Sequence, residues 1–212
     1  MLLAGLAGVK PEERVADLGT GCGVVPLILA YRGLVRYCVG IEIQPELAAL
    51  ARENVEANGF SDRVEIREMD FREAKSRFPT GSFDLVVSNP PYRRVASGRI
   101  NVDRQRAVAR HELSGSVSDV FAVGKHLLAH GGRLAVIYPA TRLTHLMVTA
   151  HRHGFSPKEL TVIHSDSLGP GRLVYLECRK GGGEELRIGP ALYIYRDGGK
   201  DYTERMSALY NE

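Results

Sequence analysis

Residues 17–23 read Asp-Leu-Gly-Thr-Gly-Cys-Gly and decide the fold, because they join a short apolar strand to a helix through a glycine-rich turn. Residues 14–19 predict the strand, and residues 24–34 predict the helix. A turn of this kind lets a ligand approach the backbone and the N-terminus of the helix. The spacing differs from the dinucleotide fingerprint G-x-G-x-x-G, because position 24 is Val24. A tight turn that binds no ligand is the alternative interpretation.

The next predicted strand ends in an acidic residue. Residues 37–43 form this strand, and Glu42 follows Gly23 by 19 residues. That is about the position at which a ribose-binding carboxylate belongs, at the end of a second strand. A carboxylate accepts hydrogen bonds from both ribose hydroxyls, so Glu42 is a candidate ribose ligand. A solvated glutamate at the end of a strand is the alternative.

A third predicted strand, residues 64–70, also ends in an acid. Asp70 closes it and Phe71 follows. A carboxylate there could accept a hydrogen bond from the amino group of a cofactor's adenine, with Met69 or Phe71 against the ring. The alternative role of Asp70 is to cap a short helix over residues 72–78, and the two roles are compatible.

Residues 88–92, Ser-Asn-Pro-Pro-Tyr, follow the apolar run 83–87, which predicts a strand buried on both faces. Two consecutive prolines end that strand, because each lacks a backbone N–H and has a fixed φ. The Asn89 amide oxygen and the Pro90 carbonyl could accept both hydrogens of an exocyclic amine, while Tyr92 stacks on the base. An ordinary Pro-Pro turn with an exposed tyrosine is the alternative.

The polar segment after this corner is strongly basic. Between positions 93 and 110 it carries six arginines and one acid, Asp103. Such a loop beside a ligand-binding edge suits the phosphate backbone of a nucleic acid, and a merely solvated loop is the alternative. The arginines are Arg93, Arg94, Arg99, Arg104, Arg106 and Arg110.

The order of the elements predicts an α/β fold with helices on both faces of a seven-stranded mixed sheet, in the order 3-2-1-4-5-7-6. We expect a single domain over residues 1–212, with a core at 1–180 and a C-terminal extension at 181–212. In that extension, residues 185–188 and 192–195 could pair as a small hairpin before a terminal helix.

Composition indicates a soluble globular protein, with 44% hydrophobic and 25% charged residues and a net charge of +3. Three scattered cysteines, Cys22, Cys38 and Cys178, argue against a disulfide framework and for a reducing, cytoplasmic location. There is no C-x-x-C pair and no apolar run of membrane-spanning length. We therefore expect no metal and no membrane partner, while the oligomeric state is left open.

Together these motifs resemble the Rossmann-like class I methyltransferases that act on amino groups and use S-adenosyl-L-methionine. The Asn-Pro-Pro-Tyr motif alone also occurs in DNA adenine, RNA and protein glutamine methyltransferases. Four longer stretches are similar to the bacterial tRNA1(Val) adenine-N6-methyltransferase family: residues 89–93, 109–112, 131–133 and 199–203.

The resemblance implies methyl transfer to the N6 of an adenine in tRNA near the anticodon. A protein glutamine N5-methyltransferase and a cofactor- or RNA-binding module with weak turnover are the alternatives. Members of the family usually carry a segment before the Leu-Leu-Ala stretch that begins at Leu2, so we expect an N-terminal segment to be missing here.

The resemblance also assigns roles to single residues. It places the three glycines of the turn around the methionine part of the cofactor, the Asp17 carboxylate near its ammonium, Glu42 at the ribose and Asp70 at the adenine. The implied cofactor-binding residues are Asp17, Gly19, Gly21, Gly23, Glu42, Ile43, Asp70, Phe71 and Asn89. The implied catalytic residues are Asn89, Pro90 and Tyr92, and the substrate-binding residues are Arg93, Arg94, Arg99 and Arg110.

Overall fold

The computed structural model describes residues 1–90 and 115–211, with the side chains of the last two of these left out. The strands are β1 Glu13–Leu18, β2 Val35–Glu42, β3 Val64–Glu68, β4 Phe83–Ser88, β5 Leu128–Pro139, β6 Phe155–His164, β7 Gly171–Lys180, β8 Arg187–Ile188 and β9 Leu192–Tyr193. The helices are α1 Leu2–Leu6, α2 Val24–Tyr31, α3 Pro45–Ala57, α4 Ala74–Arg77, α5 Val117–Leu127, α6 Leu143–Arg152 and α7 Glu204–Asn211. Short 3-10 turns cover Phe71–Glu73 and Ala140–Arg142. None of the helices in these two ranges combines the length and apolar character needed to cross a bilayer.

One mixed sheet contains all nine strands. Its first seven run in the order β3-β2-β1-β4-β5-β7-β6, which confirms the order predicted from the sequence. The first five are parallel, and β7 is antiparallel to both β5 and β6. The carboxyl ends of β1, β2 and β4 therefore lie side by side, with Asp17 opposite Gly40 on one side and Val87 on the other.

The prediction of seven strands and a C-terminal hairpin is wrong in its details, because β8 and β9 each pair in parallel with β6. The Gly189 N–H donates to the Leu160 carbonyl at 2.8 Å, and the Ile194 N–H donates to the His164 carbonyl at 3.0 Å. Pro190 stands between the two short strands and has no N–H for a hairpin ladder. The chain therefore follows the edge of β6 instead of turning back on itself.

Helices cover both faces of the sheet, and alternate residues of β1 point to opposite sides. Leu18 packs in the cluster that contains residues of α4, α5 and α6, whereas Val15 packs with residues of α1, α2 and α7. Phe121 of α5 is fully buried, which stabilises the fold by about 1.5–3 kcal/mol relative to an exposed ring. The two packed faces hold the carboxyl edge of the sheet in a fixed arrangement.

A buried ion cluster lies near the amino end of β5. Arg133 Nη1 donates to Glu177 at 2.8 Å and to the Ala7 carbonyl at 2.9 Å. Arg133 Nη2 donates to Glu13 at 2.7 Å and to the Gly8 carbonyl at 3.2 Å. The cluster joins β1, β5 and β7 to the chain that leaves α1.

Candidate active site

The glycine-rich turn has the backbone conformation that only glycine adopts readily. Gly19, Gly21 and Gly23 have φ values of 76°, 60° and 83°. A Cβ at Gly19 or Gly21 would meet nothing within 4 Å, whereas a Cβ at Gly23 would lie 3.3 Å from the Cβ of Ala51. The first two glycines thus leave room beside the turn, and the third allows α2 to begin against α3.

A cleft of about 220 Å³ opens beside this turn, between the ends of β1, β2 and β4. It brings together seven of the nine predicted cofactor residues, whereas Asp17 and Gly23 lie behind the turn, outside its lining. Those seven are Gly19, Gly21, Glu42, Ile43, Asp70, Phe71 and Asn89. Pro90, a predicted catalytic residue, also lines the cleft, whereas sequence reasoning missed Gln44 and Leu47 at the start of α3.

Glu42 is buried, with 5% of its surface exposed, so the alternative of a solvated glutamate is wrong. Its Oε2 accepts from the Gly21 N–H and its Oε1 from the Gln44 N–H, both at 2.9 Å. These bonds fix the carboxylate between the glycine turn and α3. Each carboxylate oxygen can accept a further hydrogen bond, so the pair of oxygens suits two neighbouring ribose hydroxyls.

Asp70 caps the 3-10 turn at Phe71–Glu73 and also lines the cleft. Its Oδ1 accepts from the Arg72 N–H at 2.9 Å, and its Oδ2 from Arg72 Nε at 2.8 Å. Partial burial works to raise the pKa of Asp70, but the hydrogen bonds and charge of Arg72 hold it below its usual value. Phe71 is buried beside it and presents an apolar wall to the cleft.

Asp17 is a buried carboxyl that is short of a hydrogen-bond donor. The hydroxyl of Thr20 lies near enough to affect the pKa of Asp17, but within the described residues neither this hydroxyl nor Asp17 Oδ2 makes a well-aligned hydrogen bond. Burial raises the pKa of Asp17 to about 7, with Glu42 adding to the effect and Thr20 and the chain's amino terminus opposing it. An acceptor of this kind fits the ammonium group of a ligand bound at the glycine turn.

The end of β4 is tied to the end of β1. Ser88, which sequence reasoning missed, is buried and donates from its hydroxyl to the Leu18 carbonyl at 2.7 Å. Asn89 follows it at the surface of the cleft, and Pro90 is buried beside it. The predicted contributions of five further residues lie outside the described part of the chain: Tyr92, Arg93, Arg94, Arg99 and Arg110.

A second cavity, of about 350 Å³, begins on the other side of Asn89. No sequence signal pointed to it, because its walls come from distant parts of the chain, including Ile137, Leu173, Tyr195 and Tyr202. In residues 1–90 and 115–211 no three His, Cys, Asp or Glu side chains group as a metal site would require. The described chemistry of this edge is therefore that of carboxylates, amides and aromatic rings.

Comparison with known proteins identifies relatives of the whole chain. The family model "Methyltransferase small domain" matches residues 1–150. A protein of Bacteroides thetaiotaomicron named tRNA1(Val) (adenine(37)-N6)-methyltransferase is 31% identical over 208 residues, which are 96% of this chain and 86% of the relative. A protein of the same name from Porphyromonas gingivalis is 36% identical over 78% of this chain and 66% of its own length, just under two thirds. These matches confirm the resemblance predicted from the motifs.

Solved structures share the fold. A crystal structure described as a predicted O-methyltransferase of Agrobacterium tumefaciens superposes with a TM-score of 0.80, covering 99% of this chain and 94% of that one. At 24% identity this likeness supports the architecture of the sheet and its helices. The Rossmann-like methyltransferase fold predicted from the sequence is therefore confirmed.

Proposed function

The chain belongs to the methyltransferase small domain family, and on that premise we propose that it is an S-adenosyl-L-methionine-dependent methyltransferase acting on the N6 amine of an adenine in tRNA. The observation that carries the proposal is the position of Asn89. It directly follows β4 and lines the same cleft as Gly19, Glu42 and Asp70. The names of the relatives supply the substrate, an adenine at position 37 of tRNA1(Val).

The residues of the cleft fit the cofactor. Glu42 holds its two oxygens between Gly21 and Gln44, where they can accept from the ribose hydroxyls. Asp70 accepts from the adenine amino group, with Ile43 and Phe71 on the apolar sides of the ring. The open space at the glycine turn receives the methionine part, whose ammonium gives buried Asp17 the donor it lacks.

S-adenosyl-L-methionine supplies a methyl group on a positively charged sulfur, which leaves as a neutral thioether. The chain's own task is to make the adenine amine nucleophilic and to aim it. Asn89 Oδ1 and the Pro90 carbonyl accept the two amine hydrogens, which moves the nitrogen lone pair out of conjugation with the ring. S-adenosyl-L-methionine, held by Glu42, Asp70 and the glycine turn, would supply its methyl group to this nitrogen, and the amine would release one proton to solvent. Positioning of this kind can contribute about 7–11 kcal/mol in favourable cases.

The arginines of the basic segment complete the proposal. Arg93, Arg94, Arg99 and Arg110 contact the phosphates around the target, and Tyr92 stacks on the target base. A cytoplasmic location follows from a tRNA substrate. Replacing Arg93, Arg94 and Arg99 with alanine should lower methylation of tRNA far more than methylation of free adenosine. An equal loss of methylation on both substrates would show that these arginines do not bind RNA.

The test is a direct assay of the product. Protein, methyl-labelled cofactor and total tRNA are incubated, and the tRNA is digested to nucleosides. Labelled N6-methyladenosine is the expected product, and Asn89→Ala protein is the control for label carried by other activities. Label in a release-factor glutamine but not in RNA would show that the protein is a glutamine methyltransferase instead. Cofactor binding without transfer to either substrate would indicate a binding module.

A further inference from the structure

Asn89 lines two cavities. One is the 220 Å³ cofactor cleft, and the other is the cavity of about 350 Å³. Because this residue belongs to both linings, a group held in the second cavity would lie next to the cofactor cleft at Asn89. The volume is within the usual range of pockets that bind small molecules.

The walls of the second cavity are apolar and aromatic. Ile137 near the end of β5 and Leu173 near the start of β7 form its floor from the sheet. Tyr195 and Tyr202 close it from the C-terminal segment. Flat aromatic bases bind such surfaces by stacking, and single-stranded RNA is recognised largely in this way.

The two tyrosines are held as a unit. Their rings stack with centroids 5.5 Å apart and planes inclined by 20°, and their backbones form an antiparallel bridge. The Arg196 N–H donates to the Asp201 carbonyl at 2.8 Å, which closes the turn between them. The Thr203 hydroxyl donates to the Tyr193 carbonyl at 2.6 Å and fastens this turn to β9. A stacked, doubly anchored pair keeps its position when a ligand enters.

We propose that this cavity is the pocket of the acceptor base, and that the stacked pair Tyr195–Tyr202 is the wall that positions the flipped adenine in front of Asn89. The inference rests on the proposed function and deepens it, because it assigns a substrate subsite to the C-terminal segment. The ring of Tyr195 or Tyr202 supplies a stacking face for the base. Ile137 and Leu173 keep the part of the pocket next to the sheet apolar.

The experiment compares single-turnover methylation of a tRNA1(Val) transcript by wild-type protein, Tyr195→Ala, Tyr202→Ala and Tyr202→Phe. Loss of a stacking face should lower transfer about 10- to 100-fold in each alanine variant, and Tyr202→Phe should recover most of it. Affinity for S-adenosylmethionine, measured by calorimetry, should stay within about twofold, because the tyrosines do not line its cleft. Tyr193→Ala is the matched control, since its ring packs against His164 at 5.0 Å and does not line the cavity.

If an alanine variant unfolds at a lower temperature than the wild type, a second variant still tests the pocket. Leu173→Trp fills the cavity from the β7 side and should abolish most transfer while cofactor affinity stays unchanged. Full transfer by Leu173→Trp or by both alanine variants, with an active wild type, would overturn the pocket and leave the proposed function standing. A wild type that methylates no tRNA would overturn the proposed function, and the base pocket with it.

Discussion

Two carboxylates of β1 have different surroundings: Glu13 is partly buried, and Asp17 is fully buried. Glu13 near the start of the strand is bound by Arg133, whose guanidinium also contacts Glu177 and two carbonyls. Asp17, four residues later, has an oxygen without a donor and a pKa raised to about 7. The first arrangement satisfies its charges and so stabilises the fold. The second leaves a buried acid that can ionise when a cation binds beside it, as a ligand site requires.

The same contrast separates what each region does for the molecule. The Arg133 cluster ties α1, β1, β5 and β7 together at one edge of the sheet. The Asp17 region leaves open glycines and accessible acceptors at the other edge. A variant in the first region should therefore change stability, and a variant in the second should change binding or transfer.

Arg133→Leu should lower the free energy of unfolding by about 3–5 kcal/mol, measured by urea denaturation. The change leaves the partly buried Glu13 and Glu177, with 13% and 16% of their side chains exposed, without their cation. The control is Arg187→Leu, whose pair with Glu159 is 76% exposed on the arginine side and should contribute less than about 1 kcal/mol. Equal losses of unfolding free energy in the two variants would show that the Arg133 cluster stabilises the fold no more than an exposed ion pair does.

Asn89→Ala should lower the rate of methyl transfer by about 100-fold or more, because misplacement of a reacting group by about 1 Å can have that effect. The assay is single-turnover transfer to tRNA. Asn58→Ala, an exposed asparagine at the end of α3, is the control and should transfer at the wild-type rate. Undiminished transfer by Asn89→Ala would contradict the proposed catalytic role of Asn89.

Cofactor affinity should rise with pH through the titration of Asp17. With a pKa of about 7, the ionised fraction, and with it the affinity, should grow roughly eightfold between pH 6 and pH 7.5. Calorimetry should detect proton release on binding in this range, and Asp17→Asn should bind weakly with little pH dependence. A wild-type affinity that is flat from pH 6 to pH 7.5 would contradict the role of Asp17.

Stability should show the opposite trend. Since the pKa of Asp17 is raised above its unfolded value of 3.8, the folded state keeps a proton that the unfolded state has lost. This contribution is present at low pH and is lost as the pH rises from about 4 to about 7. Asp17→Asn should remove that part of the decline, which urea denaturation at several pH values would reveal.

Ser88→Ala should lower the free energy of unfolding by about 1 kcal/mol, the usual contribution of one buried hydrogen bond. The hydroxyl joins the end of β4 to the Leu18 carbonyl at 2.7 Å, so its loss loosens the strand end that carries Asn89. Transfer should fall by a few-fold at most. Ser82→Ala, whose hydroxyl bonds the nearby Pro79 carbonyl, should change stability less.

The order of the seven main strands could be predicted because local signals mark their ends. The glycine turn after β1, Glu42 after β2 and the prolines after β4 each stop a strand at the same edge. The positions of Glu42, Asp70 and Asn89 around one cleft follow from that shared edge. Their assigned roles stay predictions, as do those of Tyr92 and the four arginines.

The remaining features depend on contacts between distant residues. Arg133 and Glu13 are 120 positions apart, and no local sequence pattern predicts that they pair. The second cavity joins Asn89 to Tyr202 in the same way. The hairpin prediction was wrong because the local pattern of residues 185–195 does not reveal that β6 offers them a better partner.

The placement of β8 and β9 also protects the molecule from its neighbours. A long outer strand presents a row of unpaired N–H and C=O groups to which a second copy could add its own sheet, the first step of aggregation. Here β6 is covered by two fragments of two residues each, with Pro190 in the gap between them. An incoming strand would find a template too short and too interrupted to extend. The C-terminal segment thereby hinders edge-to-edge association of two copies of the protein along β6.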